Sequence, residues 1–446
     1  MFTSLAAQFL VLSAHSIPVP IASPVPRPWQ ESDTALEARA RAIFGQVVEK
    51  PTVEKEWFMP AFLEVVSASR MRSILRRTFK KSGVITDFQR IDAPEAFSGR
   101  FRASGEEGYE FTLNLGVDPQ APHAIRLLFI SALTLSDYTQ VEKKLVDLPG
   151  EVSFGVYGLG EESLSRVYTL NPEARLGVGS AFKLYVLGAL AQEISEGKRA
   201  WEDSIRLREE YKSLPSGFLQ AWPAEAPITL HTLAALMISQ SDNTATDHLL
   251  FTLGRKRVES QLFEMGNRHV LQNSPFLSTA ELFRLKASDS GTRARAYLEL
   301  SVEDRYAYLR DEIAPVPVSS VDMSTLLMPN FIDTIEWFAS TDDLARTFNW
   351  LRRAIVAGDE TTAGILSINS GAVLPPGMFR YIAFKGGSEG GVLNLSYLVQ
   401  THDERWWVIV ANWNNSQAPV TTNTLLEICT SALTICAKEA ELALPR

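Results

Sequence analysis

The stretch Gly177–Leu190, GVGSAFKLYVLGAL, places a hydroxyl at Ser180 and an amine at Lys183, three residues apart. Leu184, Leu187, Gly188 and Leu190 continue at helical spacing, which predicts a largely buried helix. Residues three apart share a helix face, so the two groups look into the same space. A lysine is costly to bury unless it is paired or its pKa is lowered. Either the amine of Lys183 snorkels over apolar surface, or it has chemical work to do beside Ser180.

Two later signals favour chemistry. Ser241-Asp242-Asn243 precedes the apolar run NTATDHLLFTLG, and Lys385-Gly386-Gly387 sits between two stretches that read as strands. Each alone is weak, because S-x-x-K arises by chance and S-D-N commonly caps a helix. In this order and setting they define a set. Ser180, at a helix start, feels the positive end of the helix dipole. Lys183, with its pKa lowered by burial and by a neighbouring cation, accepts the serine proton. Lys385 supplies that cation and attracts a substrate carboxylate. Ser241 relays the proton to the leaving group, and Asn243 hydrogen-bonds a substrate amide and the Lys183 ammonium.

The triplet resembles that of class A β-lactamases and penicillin-binding proteins, with MISQSDNTATDHLL and KGGSEGGVLNLSYL similar to the matching segments of that superfamily. The resemblance covers roughly residues 150–438. It implies a serine hydrolase with an acyl-serine intermediate and an ester, amide or β-lactam as its small-molecule substrate. It further implies an oxyanion site built from the backbone amides of Ser180 and Ser388, with Gly387 beside them. The expected fold class is α/β (α+β), a β-lactamase-like sheet flanked by helices. The layout, with a small domain in front, is similar to the two-domain β-lactamase-like type of clavulanic acid biosynthesis, whose front domain is steroid-isomerase/cystatin-like.

The pattern also departs from that family. Rapidly deacylating members carry a glutamate with an asparagine four residues on, and no glutamate between Asn243 and Phe384 has one. At that register the chain reads NSPFLSTAELF, with Ser278, Thr279 and Glu281 close by. Without a carboxylate to activate water, an acyl-enzyme is expected to persist, which leaves open a non-hydrolysing penicillin-binding sensor or a transpeptidase-like protein acting on cell-wall peptides. Gly386 stands where the commoner motif has a hydroxyl. The segment SGTRARAYLELSVEDRYAYLRDEIAPVPVSS reads as an inserted helical lid.

The remainder bounds the picture. A chain of 446 residues exceeds one ordinary core. Residues 1–31 read as a leader, an export signal running into a Pro-rich linker, and export to the periplasm or outside the cell is the expected location, with the cytoplasm as the alternative. Residues 32–132 predict a small α+β domain, with Asp33 capping a first helix, a second helix from Met59 to Gly83 and four strands after it. A polar connector spans 133–150, and 151–446 form the hydrolase domain, its early and late strands meeting in one sheet. The net charge of −9 argues against nucleic acid as a partner, and no apolar run is long enough for a membrane span. The basic run Arg70, Arg72, Arg76, Arg77, Lys80 and Lys81 reads as the solvated face of a helix. The chain has two cysteines, Cys429 and Cys436, seven residues apart. On a helix they lie too far apart for a disulfide and read as core residues. Five of the six histidines, His123, His231, His248, His269 and His402, form no metal-ligand pattern, and no metal or cofactor is expected. Gly386–Gly390 matches G-x-S-x-G, but a strand follows it where a nucleophile elbow needs a helix.

Overall fold

A computed structural model describes residues 31–44, 51, 53–91, 97–131, 133–161 and 163–442. The leader therefore lies outside the described residues, apart from Glu31. The chain divides into two compact units, Met1–Leu133 and Thr134–Arg446.

In the first unit a helix over Glu31–Phe44 precedes two more, Pro60–Val65 and Ala68–Ser82. Asp33 falls inside the first helix rather than at its cap. The long second helix expected from Met59 is broken at Val66, and Ser67 starts a new one by accepting the Arg70 N–H. Gly83 ends it at a φ of 69°, where glycine carries no steric penalty. Strands Ile85–Arg90, Ser98–Gly105, Tyr109–Val117 and Ile125–Ile130 follow as an antiparallel meander in chain order. Alternation along them sends Phe101, Ala103, Phe111, Leu113 and Leu115 into a core shared with Met71, Leu75 and Phe79 of the third helix. The basic run occupies the opposite side of that helix, with five of its six side chains exposed and Lys81 half-buried.

In the second unit the 133–150 segment is not a bare connector. Asp137 caps a helix over Tyr138–Val146, and Val141 and Leu145, spaced i and i+4, are fully buried. The polar residues that made it read as a linker are its solvent face.

The main sheet has five antiparallel strands in the order Tyr381–Glu389, Val392–Gln400, Trp406–Asn414, Glu151–Leu159, Leu164–Leu170. The early and late strands do meet, with Val410 opposite Gly155 and Asn414 opposite Glu151. Leu398, Val408 and Val410 join a core with Leu184, Leu187, Leu233, Leu249 and Phe348 from the helices on one face. The C-terminal helix Thr422–Leu442 packs on the strands Val392–Gln400 and Trp406–Asn414. Its cysteines are free and buried.

The 290–320 segment is helical over Thr292–Leu298 and Val302–Tyr308, but it is not a free lid. Ala294, Tyr297, Leu309 and Ile313 are buried members of the main core, and Tyr306 donates to Glu259. Among the described residues no helix is long and apolar enough to cross a membrane.

Candidate active site

Two turns and one strand edge converge here. The first turn, Gly179–Phe182, is a tight 3-10 turn that leads directly into the helix Lys183–Ser195. Ser180 is half-buried on this turn. Lys183 is fully buried at the first residue of the helix, so the snorkelling alternative does not describe it.

The second turn precedes the helix Asn243–Leu253. The sequence left open whether Ser241 is a cap. The cap is Asp242, whose carboxylate accepts the N–H groups of Ala245 at 2.8 Å, Phe218 at 2.7 Å and Leu219 at 3.0 Å. That frees the Ser241 side chain. Ser241 adopts a φ of 55°, in the left-handed region that a serine enters at some cost. Ser216 Oγ donates to its carbonyl at 2.6 Å and holds it there.

The third piece is the outer strand Tyr381–Glu389, which has a neighbour on one side only. Lys385 pairs in register with Ser396 and Gly387 with Asn394. A Cβ at Gly387 would fall 2.1 Å from Val178 O and 2.3 Å from Ser180 N. A Cβ at Gly179, where φ is 48°, would fall 2.9 Å from Ser388 N. Two glycines therefore let the Ser180 turn and the strand edge close on each other, and the amides of Ser180 and Ser388 border the same gap. A side chain at Gly386 would come within 2.7 Å of the Phe384 ring, so that aromatic side chain occupies the space a hydroxyl-bearing residue would need.

The polar network is dense. Lys183 Nζ donates to Ser241 O at 2.6 Å, Asn243 Oδ1 at 2.6 Å and Ser241 Oγ at 3.1 Å. Lys385 Nζ donates to the same Ser241 Oγ at 3.0 Å and to Gly386 O. Asn243 Nδ2 donates to Leu214 O at 3.0 Å, which fixes the direction of its amide. Burial, and then the charge of Lys385, hold the Lys183 amine well below the usual lysine range. Burial pushes Lys385 down to about 7. Ser180 Oγ makes no hydrogen bond to Lys183 among the described residues, and such contacts often tighten only when substrate binds.

One residue escaped the sequence reading. Asp247, four residues after Asn243 and so on the same helix face, is fully buried and accepts the N–H groups of Thr279 at 2.8 Å and Ala280 at 3.0 Å. Burial pushes its carboxyl up to about 7. Its i+4 spacing from Asn243 was the available signal. Glu281, by contrast, is fully engaged. It completes a capping box with Ser278 and takes a two-pronged ion pair from Arg255, at 2.7 and 2.9 Å. Thr279 Oγ1 donates to Ser213 Oγ at 2.7 Å. Among the described residues no group of three or more His, Cys, Asp or Glu side chains forms a metal cluster. His248 is a core histidine, its ring bonded to Arg208 N and Thr244 O.

Residues 139–308, which carry the first two turns, match the family model described as the β-lactamase enzyme family. That stretch of the second unit is similar to the β-lactamase family. The chain's solved likenesses include a β-lactamase from Sphaerobacter thermophilus, with 20% identity over 70% of this chain and 100% of that one and a TM-score of 0.48. PBP-A follows with 16% identity, 68% and 95% coverage and a TM-score of 0.46. A β-lactamase from Francisella tularensis has 10% identity, 69% and 99% coverage and a TM-score of 0.48. Among curated proteins none matches the chain. In the second unit the sequence motifs, far apart in the chain, gather around Ser241: Lys183 and Lys385 on its hydroxyl, Asn243 on Lys183, Gly387 against Ser180, and Ser388 exposed at the strand's rim.

Proposed function

We propose that the protein is a serine hydrolase of the β-lactamase-like superfamily that cleaves an ester or amide through an acyl-serine intermediate. The observation that carries this reading is the Ser241 hydroxyl, held between two buried amines at 3.1 and 3.0 Å beside the turn that bears Ser180. The lowered pKa makes neutral Lys183 the base for the Ser180 hydroxyl. Oxygen attack on the substrate carbonyl places negative charge near the amides of Ser180 and Ser388. A hydroxyl has two acceptor sites and one proton. With both amines on its oxygen, Ser241 has its own proton to give to the leaving group, and Lys183 replenishes it. Asn243 orients a substrate amide.

Deacylation is the weak step in this scheme, because the carboxylates nearest the expected register are engaged. Glu281 is tied to Arg255 and Ser278, and Asp247 accepts two backbone N–H groups. That supports poor penicillin turnover and keeps a second reading, a penicillin-binding sensor or transpeptidase-like protein, alongside the first. We place the front unit with the two-domain type whose first domain is steroid-isomerase-like, on the support of its helices-then-meander order, and we assign residues 1–31 to an export leader.

The deciding experiment is intact-protein mass after exposure to a fluorescent penicillin and to a panel of simple and cephalosporin esters. Turnover of esters without a lasting adduct, lost in Ser180→Ala, supports the hydrolase. A lasting penicillin adduct on Ser180 supports the sensor or synthase. A wild-type chain that no probe acylates ends both readings.

A further inference from the structure

The groups of the proposed reaction occupy Lys385–Ser388 of the outer strand, and Glu389 follows them directly. Side chains alternate along a strand, so Lys385, Gly387 and Glu389 project to one side of it. Glu389 accepts a hydrogen bond from Lys286, whose ammonium also reaches Glu336 Oε2 at 3.3 Å. The side chains of Lys286 and Glu336 are fully buried and that of Glu389 is 14% exposed. The proposed mechanism uses none of the three.

Their placement gives them a task. Glu336 lies against Gly177, where a Cβ would come within 2.6 Å of its Cγ. The next residue, Trp337, accepts the Val178 N–H at 2.9 Å and stacks on the Phe182 ring at 3.7 Å between centroids. Glu336 and Trp337 thus grip the nucleophile turn on both sides of Ser180. Glu389 stands two residues past Gly387, the residue pressed against that turn. The Lys286 ammonium therefore ties the element presenting the Ser180 amide to the strand presenting the Ser388 amide. Its own backbone is anchored as well, since Asn330 Nδ2 donates to Lys286 O at 2.8 Å.

We propose that the Glu336–Lys286–Glu389 triad sets the gap between the amides of Ser180 and Ser388, with Lys286 as a positioning residue for the developing oxyanion. The proposal rests on the acyl-serine reading. A buried ion cluster adds little stability over an apolar replacement of the same volume, but its directed contacts fix relative position. Burial and the adjacent Glu336 carboxyl push the Glu389 carboxyl well above the usual carboxylate range.

The test is Lys286→Met in the full chain, which removes the ammonium and keeps the volume. Misplacing one oxyanion donor costs up to about 10²–10³-fold. The expected result is a fall in kcat of roughly ten- to a hundredfold with KM within about twofold, and a parallel slowing of Ser180 labelling by a fluorophosphonate. Glu389→Gln, a milder change that keeps a hydrogen bond to Lys286, lowers kcat less, again at constant KM. Arg199→Met is the comparison. It breaks the Arg199–Glu193 ion pair, about 15 Å along the helix from Lys183, and lowers Tm without touching kcat. If Lys286→Met and Glu389→Gln behave like Arg199→Met, losing Tm alone, the triad is structural and the proposal falls. If wild-type chain shows neither ester turnover nor labelling at Ser180, the acyl-serine reading fails first and the triad's role goes with it.

Discussion

Ser241 Oγ lies 3.1 Å from Lys183 Nζ and 3.0 Å from Lys385 Nζ, so a single hydroxyl bridges two buried amines. Its proton then has no role in holding the amines and, in the proposed reaction, passes to the leaving group. Ser241→Ala should therefore hurt substrates in proportion to how badly their leaving group needs a proton. General acid assistance is worth roughly 10²–10⁴-fold. We expect a loss in that range for an amide or alkyl ester and less than about tenfold for a nitrophenyl ester. Paired kcat/KM measurements on the two ester types check this, and equal losses on both would remove Ser241 from the proton path.

Lys183 presents a different dependence. Its three acceptors, Ser241 O, Ser241 Oγ and Asn243 Oδ1, match the three protons of an ammonium. In the proposed reaction, loss of one proton turns this cation into a base for Ser180. Lys183→Met should abolish acylation by at least about 10³-fold whatever the leaving group, because the nucleophile is no longer activated. Stopped-flow labelling by a nitrophenyl ester reads this directly, and a mutant that still acylates within tenfold of wild type would point to another base.

Much of this site was legible because its motifs are local. In S-x-x-K the two groups stand three residues apart, and S-D-N and the K-G-G segment each fall within three residues, so these groups can be picked out in the sequence. What was hidden depended on distant packing. Asp242 rather than Ser241 is the cap because the loop at Phe218 and Leu219 brings two more N–H groups to its carboxylate. The helix at Tyr138–Val146 was masked by the polar residues of its outer face. The helical segment after Ser290 read as a lid because its spacing shows an amphipathic helix but not what that helix packs on. Lys286 and Glu336 are fifty residues apart, and no short pattern announces a buried ion cluster of that span.

Asp247 should leave a mark on stability. Burial raises its carboxyl from the usual range to about 7. Between about pH 4 and 7 the folded chain then holds a proton that the unfolded chain has released, so this group's contribution to stability declines as pH rises through that window. Asp247→Asn cannot ionise. Thermal unfolding at a series of pH values should show wild-type Tm losing ground to the mutant between pH 4 and 7. Parallel curves would mean that the carboxyl titrates in its ordinary range.

The glycine contacts predict a geometric failure. Gly387→Ala places a methyl carbon 2.1 Å from Val178 O and 2.3 Å from Ser180 N, and both atoms are backbone. The strand must back away from the nucleophile turn, which widens the gap between the Ser180 and Ser388 amides. Loss of one oxyanion donor costs about 10²–10³-fold. We expect a folded protein with kcat reduced by at least that much and slow fluorophosphonate labelling. Near-normal kcat would show that the two amides do not act together.

The pH profile of acylation separates the two amines. Lys183 acts as a base only when neutral, and burial places its deprotonation well below the usual lysine range. Lys385, pushed down to about 7 by burial alone, is cationic below that pH and neutral above it. Its cation both lowers the Lys183 pKa and attracts a substrate carboxylate, so acylation should decline as pH rises through about 7. Removing the cation also lets the Lys183 pKa climb, and the limb reports the coupled pair. An arginine at position 385 stays charged beyond pH 12. Lys385→Arg should therefore carry the alkaline limb upward by at least about one pH unit, while its altered reach to Ser241 lowers the plateau several-fold. Stability follows the same group with the opposite sense. From about pH 7 to 10 the unfolded chain holds a proton on Lys385 that the folded chain has lost, so stability gains from this group as pH rises, and Lys385→Met removes that gain. An alkaline limb left in place by Lys385→Arg would assign it to another group and deprive the site of its cation.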